Sequence, residues 1–144
     1  MDPTERKLYD RVRLFSIDDS SNPLSFANRL AREHGWDNSF ALRLIDEDKK
    51  FMFMAVTAGH PVTPSEQVDR AWHLHLTYTR SYRDEFCGKC LGQRIHHDPT
   101  SGDADEQEKF VDWYDKTLES NRRMFGQDPP PDIWPDAAVR FGDN

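Results

Sequence analysis

Four of the six histidines and both cysteines of this 144-residue chain lie between His73 and His97. Neutral imidazole, thiolate and carboxylate are the side chains that bind transition metals, and imidazole with thiolate suits zinc. His73, His75, Cys87 and His97 are therefore the candidate ligands, with Asp69, Trp72 and His96 in support. Asp69 precedes His73 by four residues, the separation at which a helical carboxylate can orient an imidazole or ligate beside it. An open coordination position would make such a site catalytic; no reaction is specified by these residues.

Helix geometry constrains the cluster. At about 100° per residue, Val68, Trp72, His75, Thr79, Tyr82 and Phe86 form one stripe, whereas Asp69, His73, Arg80 and Cys87 lie on another. His73 and His75 diverge, and an unbroken helix would hold His73 and Cys87 about 21 Å apart. A shared site needs a break near Thr77 to Thr79, or a return of His97 along the helix across the two glycines, Gly88 and Gly92.

Two other chemistries are open. Cys87-Gly88-Lys89-Cys90 is a CxxC, and Cys87 with His73 and Asp69 supplies the residue types of a nucleophilic triad. The pair ends a helix instead of opening one after a strand, which argues against thioredoxin-like redox work. In the metal-free alternative the Trp/His motif is a buried structural lock in a protein-interaction module, with His75 a core histidine and Asp69 and His73 an ordinary i,i+4 pair.

The elements positioning these residues read as helical. Apolar spacing and Pro/Gly punctuation predict an all-α fold of about five to six helices: a single domain over 1–144, with a motif core at 60–100 and an acidic helix and tail at 103–144. The helices run from Thr4 to about Phe15, then past the turn Asp18 to Asn22 from Pro23 to Gly35, and from Asp37 or Asn38 to Gly59. Thr63-Pro64-Ser65-Glu66 reads as a capping box with Thr63 as N-cap, opening a helix that Gly88 and Gly92 end. A further helix runs from Asp103 to Gly126. The Pro-rich tail Pro129 to Pro135 is expected to lie extended, anchored by Ile133 and Trp134.

Net charge is −7. Residues 1–97 hold 14 acids and 14 bases, so the excess lies in residues 98–144, with 12 acids and 5 bases. Without a clustered cationic block the chain is not expected to bind nucleic acid. No apolar run suffices for membrane insertion and no secretory signal opens the chain, so a cytoplasmic location is expected, with a protein or small molecule as the unknown partner.

The segment Val62 to Leu76, with Val68-Asp69-Arg70-Ala71-Trp72-His73-Leu74-His75 at its centre, resembles the V-D-x-x-W-H-x-H signature of the glycine-rich domain-containing protein family. Cys87, Gly92 and His96-His97 continue the resemblance, which extends over about residues 60–141 and is nearest to a bacterial subgroup. It implies no settled activity. That subgroup's membrane-anchored part has no counterpart before Asn144, and Cys90 lies outside the pattern.

Overall fold

The computed structural model describes residues 1–17, 24–97 and 103–142, which form seven helices and no strand. The expected turn Asp18 to Asn22, Pro23 and part of the loop His96 to Gly102 lie outside the described residues. Helix α1 (Pro3–Arg13) opens on a reciprocal capping box between Asp2 and Glu5. Helix α2 (Phe26–His34) is capped by Ser25 and ends at Gly35, whose φ of 70° suits a residue without Cβ.

Helix α3 (Asn38–Thr57) is the hub, packing against α1, α2, α4 and α5. Leu44, Asp48, Phe51 and Met52 fall at helical spacing and are buried, and Phe53 and Met54 bury an adjoining face. Helix α4 (Glu66–Thr77) begins two residues later than its sequence suggests. Ser65, not Thr63, is the N-cap and accepts from the Val68 N–H. Thr63 is buried, and its N–H donates to Thr117 Oγ1, 3.0 Å away on a neighbouring helix, so it serves that contact instead of the cap.

The break between Thr77 and Thr79 is present. Tyr78 leaves helical geometry at φ −88°, ψ 66°, and the chain resumes as a π-helix over Arg80–Leu91. Tyr82, Phe86, Cys87, Cys90 and Leu91 are buried in it. Apolar residues spaced by four and five suit the i→i+5 winding better than the α period, and π turns of any length are rare. Gly88 does not stop this helix as expected; only Gly92, at φ 79°, does.

Helix α5 (Ala104–Phe125) is capped by Asp103 and closed by Gly126. In the tail, Ile133 and Trp134 are buried as expected. Trp134 Nε1 donates to Glu47 Oε1 at 3.0 Å, and Tyr114 donates to the Pro135 carbonyl at 2.6 Å. Beyond this tail, Asp136 caps a short helix not expected from the sequence, α6 (Ala137–Phe141), set beside the start of α4 by a bond from Arg140 Nε to the Pro64 carbonyl. Among the described residues no helix is long and apolar enough to cross a membrane.

Candidate functional site

The break at Tyr78 and the turn at Gly92 return the chain to α4. Tyr82 is the fastener: its hydroxyl accepts from Trp72 Nε1 at 2.8 Å and donates to the Ile95 carbonyl at 2.5 Å. Burial holds this phenol well above its ordinary pKa, so it stays protonated and keeps donating. Two residues on, His97 packs its ring 4.4 Å from that of Trp72 and bonds through Nε2 to Asp69 Oδ1 at 2.6 Å. An ionised carboxylate can only accept, so Nε2 carries the hydrogen in this pair.

His73 lies one turn after Asp69, exposed, with its ring 5.8 Å from that of His97 in an edge-on arrangement. Asp69, His73 and His97 thus meet at one edge of α4, two from the helix and one from the returning loop. The return of His97 to the helix is the arrangement that the spacing allowed.

His75 does not join them. It is buried among Phe15, Phe26, Tyr82 and Phe86, with ring centroids 5.1 to 6.3 Å away, and Nε2 is 3.2 Å from Ser81 Oγ. Burial, reinforced by the Lys49 charge, lowers its pKa to about 4, so the ring is neutral near pH 7. Cys87 is also buried. Cys90 is fixed by structural contacts, its Sγ donating to the Arg11 carbonyl while Arg11 Nε donates to the Cys90 carbonyl. His96 is exposed.

The expected set His73, His75, Cys87 and His97 therefore needs correction. Among the described residues no three or more His, Cys, Asp or Glu side chains are grouped as they would have to be to hold a metal ion. The reason for His75 is packing: the stripe it shares with Val68 and Trp72 faces the core, and an aromatic cage surrounds its ring.

Sequence reasoning missed two features. Asp48 on α3 is buried, and its Oδ1 has no hydrogen-bond partner among the described residues. Burial raises its pKa well above the usual carboxylate range, with the Asp69 charge adding to the effect and Lys49 opposing it. An acidic residue between core positions at helical spacing was the available signal. The second feature is a cleft of about 770 Å³ against α4, lined by Asp69, Arg70 and His73 together with Arg29 and His34 of α2 and Arg140 of α6. No local motif announces it, because its walls are far apart in the chain.

The model of the UCP032817-like family matches residues 13–110, and the chain belongs to that family. This match corrects the resemblance to the glycine-rich domain-containing proteins, which nothing in the comparisons supports. The motif residues that carried it include a core tryptophan, a core histidine and a helix-capping segment, types that recur wherever a helix packs in this way. No curated protein and no solved structure matches the chain.

Proposed function

We propose that this member of the UCP032817-like family binds a divalent transition-metal ion through Asp69, His73 and His97, with zinc the first metal to test. The observation that carries the reading is that His97 bonds Asp69 at 2.6 Å and lies 5.8 Å, ring to ring, from His73, so that modest side-chain movement would bring one carboxylate and two imidazoles to a common ion. Two histidines with one carboxylate are a recurrent donor set for zinc and non-haem iron, and three protein ligands leave a position open. Cys87 and His75 take no part.

Loading has definite requirements. The Nε2 proton of His97 must leave, and two donors on a tetrahedral ion with bonds of roughly 2.0–2.1 Å stand roughly 3.4 Å apart, so the 2.6 Å Asp69–His97 pair must open by somewhat less than 1 Å. His73, exposed on its helix, must turn toward the pair. Trp72 and Tyr82 would then hold His97 in place much as outer-shell groups orient metal-binding imidazoles.

A second reading follows from the hydrogen bonds themselves. The Trp72–Tyr82–Ile95 and Asp69–His97 contacts close a complete structural lock without any ion, leaving the cleft as the recognition surface of a metal-free module. One set of measurements separates the two. Untagged protein is analysed for metals and titrated with zinc, then with manganese and ferrous iron. The metal reading expects about one ion per chain, with uptake weakened at least about tenfold in Asp69→Ala, His73→Ala and His97→Ala but not in Cys87→Ala. Less than about 0.1 ion per chain and no uptake would leave the lock, in which case His97→Ala destabilises equally with and without chelator.

A further inference from the structure

We propose that the cleft beside α4 binds the oxyanion group of a small organic acid or phosphate ester, with Arg29, Arg70 and Arg140 as its receptors. Three guanidinium groups reach this one cleft from α2, α4 and α6. Two are held by contacts that use the Nε edge: Arg29 Nε donates to the Tyr78 hydroxyl at 2.9 Å, and Arg140 Nε donates to the Pro64 carbonyl at 3.2 Å. A guanidinium fixed at Nε has already given up side-chain freedom, the preorganisation that favours capture of carboxylate or phosphate; Arg29 keeps its terminal N–H groups for a ligand, whereas Arg140 shares one of its own with Glu66.

Three carboxylates, Glu33, Glu66 and Asp69, line the same cleft, so the case for an oxyanion rests on the placement of the arginines and not on a net positive charge. Glu66 is 3.5 Å from Arg140, and Asp69 is engaged by His97 at 2.6 Å. Arg70 lines the cleft from an exposed position of α4, where its guanidinium is accessible to a ligand. His34 lines the same wall, and burial, with the Arg70 charge adding to it and Glu33 opposing, lowers its pKa. At about 770 Å³ the cleft lies within the range of small-molecule sites. It does not depend on the metal reading, since none of the three arginines is a metal ligand.

The full chain, freed of metal on an immobilised chelating resin and then separated from it, is titrated with sodium phosphate and, separately, sodium succinate, each against sodium chloride at equal ionic strength, following heat release and thermal midpoint. A saturable response to either oxyanion beyond that to chloride is expected, and selectivity between the two identifies the head group. Arg70→Gln, on an exposed position of α4, should weaken the response at least about tenfold, and Arg29→Gln likewise. Arg122→Gln, at an exposed position distant in sequence, should leave it unchanged. A response no greater than that to chloride, or one equally strong in Arg70→Gln, overturns the proposal. Prior removal of metal on the resin ensures that neither result depends on metal binding.

Discussion

His75 shows how strongly a single side chain can couple the fold to pH. Its pKa falls from the ordinary 6.5 to about 4 because burial penalises the imidazolium and Lys49 repels it. Between those values the unfolded chain takes up a proton that the folded chain refuses. The contribution to stability is therefore complete above about pH 6.5 and is lost as pH falls toward 4, a difference of about 3 kcal/mol. Urea unfolding at pH 7, 5.5 and 4.5 checks this: in His75→Gln, proton uptake on unfolding across that window should drop by up to one. An unchanged slope would mean that the ring is solvated. His75 was legible as a core candidate from its stripe, but its exclusion from the His73 and His97 group depends on the aromatic cage, whose members come from α1, α2 and the π-helix regions of the chain.

At the scale of elements, the turn from α4 into the π-helix determines where His97 goes. Tyr82 links three segments through one hydroxyl, so Tyr82→Phe removes an acceptor for Trp72 and a donor for Ile95 while keeping the ring. Leaving those buried groups unpaired should cost about 1–3 kcal/mol. The amides of residues 95–97 should exchange hydrogen faster in this variant, while α1 and the centre of α3 keep their protection. Thr79→Ala, at an exposed position of the same turn, is the control and should change neither measurement. Weak helix formers at Thr77 to Thr79 marked the break in the sequence. The π winding was not legible, because it replaces i→i+4 bonds with i→i+5 bonds over residues whose individual propensities do not distinguish the two.

Across the whole molecule, the C-terminal segment holds the bundle together. Ile133 is fully buried, and Trp134 packs near Phe51 and Tyr114 while its indole N–H donates to Glu47. Ile133→Ala should lower the unfolding free energy by about 2–5 kcal/mol in denaturant titrations, as a large-to-small change in a packed core does. A loss below about 0.5 kcal/mol would show that the tail is only draped over the surface. The same segment delivers α6, and with it Arg140, to the cleft. The anchoring role of Ile133 and Trp134 could be read from two large apolar residues within a proline run. The helix after them could not, since five residues carry little periodic signal.

The helical class and most helix limits are legible in the amino-acid order alone. Those properties depend on local chemistry: capping side chains, glycines at φ near 70°, and apolar residues at helical intervals. Which histidines meet is set by long-range packing. His75 and His73 are two residues apart, yet one enters the core and the other edges the cleft; His97 is 28 residues from Asp69, yet lies against it. Such pairings depend on the path of the chain through Tyr78 and Gly92 and on the arginines that α2, α4 and α6 bring together. No local pattern encodes contacts of that range, because the energy that selects them comes from burial summed over the whole core.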